Sequence, residues 1–142
     1  MRIAYYLITT VFYYLLYPYL YFRILKKKEC PLRYKEKLGI SHKTRNNGFL
    51  IWFHCSSIGE LKSIFPIIDH YVKKNRILLT TSTLSSCEIF YKKYSHNKNI
   101  IHQFAPIDSP QIIKRFFLKW KPNIIFFYRF RIMAKSDFLC KK

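Results

Sequence analysis

Acidic residues are scarce in this chain, and glycine is scarcer. Seven Asp and Glu face 26 Lys and Arg, a formal charge of +19 over 142 residues, and there are three glycines. The sequence has no G-x-G-x-x-G fingerprint and no Walker A loop, so the usual backbone cradles for dinucleotides and triphosphates are excluded. The four cysteines, Cys30, Cys55, Cys87 and Cys140, form no C-x-x-C pair and no metal-ligand spacing. They read as reduced thiols of a cytosolic compartment, with Cys55 and Cys87 packed as small apolar side chains. A trustworthy Ser-His-Asp order is missing too, and nothing calls for a metal or a cofactor. Apolar and aromatic residues are plentiful, at 50% and 19%, which argues against disorder despite the charge. Part of that charge is explained by a bias towards lysine. The rest favours an anionic partner, either phosphorylated lipid, an acidic membrane surface or nucleic acid. Nucleic acid is the poorest of these, because no RNP-like or helix-turn-helix pattern is present.

Charge is entirely absent from Ile3 to Phe22, IAYYLITTVFYYLLYPYLYF. That length suits a membrane-spanning helix of about 20 residues, although the tyrosines favour the interface and leave an in-plane helix as the alternative. The basic RILKKK that follows places the remainder of the chain on the cytoplasmic side. Residues 1–28 are therefore expected to be a single N-terminal membrane anchor with a basic flank, and 29–47 a basic linker with one short helix capped by Gly39.

From residue 48 the pattern changes. GFLIWFHC, RILLTTST, NIIHQFAP and NIIFFYRF read as strands, the first and last as buried ones. Between them lie helical stretches, LKSIFPIIDHYVKK, LSSCEIFYKKY and DSPQIIKRFFLKWK. Pro66 falls near the start of the first or kinks it. Regular alternation of this kind predicts an α/β fold, a Rossmann-like parallel sheet over 48–127. Ligands of such sheets bind at the carboxyl ends of the strands, which directs attention to HCSSIGE, TTSTLSS and APIDSP.

The carboxylates are few enough to take singly. Glu29 and Glu36 are expected to pair with neighbouring lysines, and Asp69 and Glu88 to form surface ion pairs. Asp108 reads as a helix N-cap. Glu60 differs, because it follows the first strand and a small-residue turn ending in Gly59. Two readings stay open there: a first-turn glutamate favoured by the helix dipole, or a reactive carboxylate where α/β folds place such groups. The adjacent His54 reads as hydrogen-bonded structure. TTSTLSS suits anion binding and ordinary capping alike.

Five elements in order, RYKEKLGI, IWFHCSSIGE, LLTTSTLSS, QFAPIDSPQIIKRFF and WKPNIIFF, resemble the N-terminal half of the 3-deoxy-D-manno-octulosonic acid (Kdo) transferases. The resemblance implies the acceptor half of a GT-B glycosyltransferase, which joins two Rossmann-like domains across a cleft. It implies transfer of Kdo from CMP-Kdo to the lipid A precursor, inverting and metal-independent, at the cytoplasmic face of the bacterial inner membrane. Glu60 matches the family's S-x-G-E glutamate, the general base, and Ser57, Gly59, Thr81 and Thr83 are expected on the acceptor side. A CMP-binding donor domain is expected elsewhere, encoded separately, leaving this chain inactive alone. The competing expectation is a non-catalytic, membrane-tethered basic module that holds anionic lipid or nucleic acid.

The tail 128–142 departs from the family, whose next motif is acidic. Permitted codons for YRFRIMAKSD, read one base later, give T-D-S-E-L-W-P-N-L, which is that motif. The expectation is a frameshifted tail on a truncated domain.

Overall fold

The computed structural model describes residues 2–45 and 47–127, with side chains from Tyr14 onwards. The frameshift expectation for 128–142, with Asp137 and Cys140, lies outside the described residues. Helix α1 (Arg2–Leu25) is followed by a 3-10 turn (Tyr34–Leu38) and then β1 (Leu50–Cys55), α2 (Ile58–Tyr71), β2 (Arg76–Thr81), α3 (Leu84–Tyr94), β3 (Ile100–Phe104), α4 (Pro110–Trp120) and β4 (Ile124–Phe127). Pro66 lies well inside α2. The four strands form one parallel sheet in the order β3-β2-β1-β4. This is the α/β, Rossmann-like arrangement expected from the strand and helix alternation.

Alternation along β1 sorts the core. Ile51, Phe53 and Cys55 face the layer of α2 and α3, where Leu61, Ile64, Ile68 and Phe90 are buried. Leu50 and Trp52 face α4 and pack with Leu78, Phe116 and Trp120. Complete burial of such side chains stabilises by roughly 1.5–3 kcal/mol each. Trp120 is wholly buried, and its indole N–H donates to Gln103 Oε1 at 2.7 Å, which removes the polar cost of placing it there.

Three expectations need correction. The first is the membrane-spanning anchor: among the described residues, no helix is long and apolar enough to cross a membrane. Seven tyrosines in IAYYLITTVFYYLLYPYLYF dilute the segment, and the second half of α1 serves the domain instead. Leu16 and Leu20 are buried there against Leu38 and Ile112. The second is β4, which read as a buried strand. It is the last strand in the order, and Phe127 is 61% exposed, because β4 pairs with β1 alone among the described strands. The third is Asp108, since Ser109 takes the N-cap of α4 without a side-chain cap bond, with Pro110 opening the helix.

The segment read as a basic linker carries buried polar structure. Gly39 does cap the short turn, at φ 74°, and a Cβ there would lie 2.9 Å from the Ile112 carbonyl oxygen. Only glycine combines that conformation with that approach. Glu36 pairs with Arg33 rather than a lysine, through two bonds of 2.8 Å, and Oε2 also accepts the Phe104 amide at 2.8 Å. Arg33 Nη2 and Lys43 Nζ donate to the His102 carbonyl. The outer edge of β3 is thus bonded by side chains where another strand would otherwise pair.

Candidate active site at the carboxyl end of the sheet

Chain order runs from β1 outward through β2 to β3, then returns to β4 on the other side of β1. The carboxyl ends of β1 and β4 therefore flank the topological switch point, the place where ligands of open α/β sheets bind. Glu60 sits on the turn that leaves β1. Ser57 is the N-cap of α2, and its hydroxyl accepts the Glu60 amide at 3.3 Å. In return Glu60 Oε2 accepts the amides of Ser56 at 2.6 Å and Ser57 at 3.3 Å. This is a reciprocal capping box, and it fixes the carboxylate's position. Both amides reach the same oxygen, so Oε1 lies outside that cap. Beside it, burial and then the Glu60 charge push the Cys55 thiol up to about 12, which keeps it protonated and unreactive.

His54 belongs to the opposite face of β1. Its Nδ1 lies 3.0 Å from Thr80 Oγ1 and its Nε2 3.2 Å from Ser56 Oγ, while Thr80 Oγ1 also accepts the Trp52 indole N–H at 2.9 Å. His54 therefore ties the Ser56 turn, whose amide holds Glu60, to the neighbouring strand. Phe127 covers the ring edge-on at 5.9 Å between centroids.

The other expected residues occupy the adjacent junction, since Cys55 is in register with Thr81. Thr83 is the N-cap of α3 and accepts the Ser86 amide at 3.2 Å. Thr81 is fully buried, with its hydroxyl 2.9 Å from Nε2 of His102. Arg33 has only donors to offer, so His102 Nδ1, 3.0 Å from Arg33 Nη2, accepts, and Nε2 carries the proton towards Thr81. Burial, reinforced by Arg33 and Lys43, holds the His102 imidazolium pKa down at about 2. Gly59 leaves the turn open, as the nearest atom to a Cβ there would be Ser57 Oγ at 4.0 Å. Ser57, Gly59 and Glu60 are thus gathered at one turn, and Thr81 and Thr83 at the next. Sequence reasoning missed Arg33 and His102. The one available signal was a lone histidine amid the apolar residues of β3.

A parallel sheet, a capped glutamate at its switch point and hydroxyl-bearing turns make this a Rossmann-like α/β domain. The family described as 3-deoxy-D-manno-octulosonic-acid transferase, N-terminal part, matches residues 32–132, and this chain belongs to it. A protein of Arabidopsis thaliana named "Probable 3-deoxy-D-manno-octulosonic acid transferase, mitochondrial" is 40% identical over 114 residues, 78% of this chain and 25% of that protein. The 3-deoxy-D-manno-octulosonic acid transferase of Rickettsia bellii is 35% identical over 108 residues, 74% of this chain and 25% of its own length. A bifunctional glycosyltransferase/methyltransferase of Fusobacterium nucleatum is 30% identical over 77 residues, 53% of this chain and 12% of that protein. The chain thus spans about a quarter of the length of the first two relatives. No solved structure matches it.

Proposed function

We propose that this chain is the acceptor half of a Kdo transferase, with Glu60 as the general base. The observation that carries the reading is a carboxylate fixed at the switch point by two amides on one oxygen, with the other oxygen outside that cap. A base so held takes a proton from a sugar hydroxyl as that hydroxyl attacks the anomeric carbon of Kdo and CMP leaves. Attack from the face opposite the leaving group inverts the centre and asks no metal of this half. The acceptor in this reading is the lipid A precursor, whose phosphates complement a chain of net charge +19. The donor-binding half belongs to the remaining length of the relatives, on the same polypeptide or a separate one, and without it no transfer is expected. Tyr14, Tyr19, Tyr21 and Phe22 stand exposed along α1 before Lys26, Lys27 and Lys28, which suits in-plane contact with the cytoplasmic face of a membrane.

The test is Glu60→Gln in the enzyme assembled with its donor half. Glutamine keeps an oxygen for the Ser56 and Ser57 amides, so folding is retained, while transfer falls by about 10²–10⁴-fold. Turnover near the parent's overturns the assignment. It would favour a basic module that holds anionic lipid without chemistry, a reading the capping box supports because it accounts for Glu60 by itself.

A further inference from the structure

The capping box of α2 needs one amide on the Glu60 carboxylate, that of the N-cap residue Ser57. Two are present, and the surplus one is the shorter. The Ser56 N–H reaches Oε2 at 2.6 Å, against 3.3 Å for Ser57. Helix capping accounts for the longer bond and leaves the shorter one unexplained.

The Ser56 side chain is held by His54. Residues two apart along a strand share a face, so the two side chains lie on the same side of the chain as it leaves β1. His54 Nε2 is 3.2 Å from Ser56 Oγ, and Nδ1 is 3.0 Å from Thr80 Oγ1. Thr80 has one hydroxyl proton and already accepts the Trp52 indole N–H at 2.9 Å. If that proton goes to Nδ1, then Nε2 is protonated and donates to Ser56. If it goes to the Phe53 carbonyl, 3.4 Å away, Nδ1 donates to Thr80 and Nε2 accepts from Ser56. Either tautomer makes both bonds. Phe127 of β4 packs edge-on against Trp52 and His54, at 5.2 and 5.9 Å between centroids. Both neighbours of β1 therefore aim one imidazole at the turn that carries Glu60.

We propose that His54 is a positioning residue for Glu60 and acts through the Ser56 hydroxyl. Pinning that side chain limits rotation of the peptide between Cys55 and Ser56. The Ser56 N–H then stays on Oε2, and Oε1 stays clear of the cap. For its catalytic consequence the inference rests on the reading of Glu60 as the base; for the coupling itself it rests on the hydrogen bonds alone.

Two substitutions separate the ring nitrogens. Glutamine places its terminal amide near the position of Nε2 and retains the Ser56 bond, whereas asparagine reaches only the position of Nδ1 and retains Thr80. In the full chain, ¹⁵N-edited NMR reads the Ser56 amide proton, which so short a bond moves downfield. His54→Gln is expected to leave it there, and His54→Asn to move it upfield. In the enzyme assembled with its donor half, His54→Asn is expected to lower kcat by about 10- to 100-fold with KM nearly unchanged, because a misplacement of about 1 Å costs up to about 10²-fold. His54→Gln recovers most of that loss. Adding Ser56→Ala to His54→Asn costs little more, since both cut one connection. A glutamine variant no better than the asparagine one overturns the proposal. So does a Ser56 proton that ignores His54→Asn, or a double variant whose losses multiply. The two readings fail separately. An unmoved Ser56 proton removes the positioning role and leaves Glu60 standing, whereas a fully active Glu60→Gln enzyme removes the base and leaves the NMR coupling of His54 to Ser56 in place.

Discussion

Replacing Glu36 with alanine is expected to cost this domain about 4 kcal/mol. The carboxylate, 9% exposed, receives both arms of Arg33 and the Phe104 amide. Removing one member of a buried ion pair costs roughly 3–5 kcal/mol, because the other charge stays behind. Arg33 is 19% exposed and keeps His102 and Tyr91 as partners, so the lower end of that range applies. The Phe104 N–H, left without an acceptor, adds roughly 1 kcal/mol or more. Urea unfolding followed by far-UV circular dichroism reads the total. With a slope of about 2 kcal/mol/M, the midpoint falls by about 2 M. Replacing both partners, Arg33→Met with Glu36→Leu, leaves no stranded charge and is expected to restore part of the loss. A Glu36→Ala midpoint within about 0.5 M of the parent, or a double variant no better than the single, would refute the view that this pair is desolvated and structural.

Gly39→Ala combines a left-handed backbone with a Cβ 2.9 Å from the Ile112 oxygen, and calorimetry should record a loss of about 2 kcal/mol or more. Ser57→Ala removes the N-cap of α2 and is expected to cost about 1 kcal/mol in the same measurement. The pH dependence turns on His102. Its folded pKa is held down at about 2, so below its unfolded value of 6.5 the unfolded chain takes up a proton that the folded one refuses. That contribution is complete above pH 6.5 and is lost as the pH falls, by about 1 to 1.5 kcal/mol per unit between pH 6 and 4. Comparing urea midpoints of the parent and His102→Gln across that interval isolates it, and parallel curves would count against the buried, neutral imidazole.

Much of the architecture was legible because apolar periodicity reports burial directly. The runs LIWFHC and RILLTT could pack only between two layers, and the stripe Ile112, Phe116 and Trp120 could face only one way. Glu60 was legible for a similar reason, as a carboxylate one turn beyond a central strand. The basic segment before β1 was not. Its charged residues look solvated one at a time, and their burial depends on partners far along the chain, such as Arg33 with His102 at a separation of 69 residues. For α1 the absence of charge misled: of its described side chains Leu16 and Leu20 are buried, against Leu38 and Ile112, while Tyr14, Leu15, Tyr19, Tyr21 and Phe22 stay exposed. The edge position of β4 was equally hidden, since residue pattern does not encode strand order.

The two borders of the sheet will not treat an incoming chain alike. Along β3 the outward carbonyl of His102 and amide of Phe104 are already occupied by Arg33, Lys43 and Glu36. A foreign segment would have to break an ion pair before forming its first main-chain bond. On the β4 side no described strand follows, and Ile124, Phe126 and Phe127 are exposed. Any sheet growth, whether by a further strand or by self-association at high concentration, is therefore expected to be polar, adding at β4 and stopping at β3.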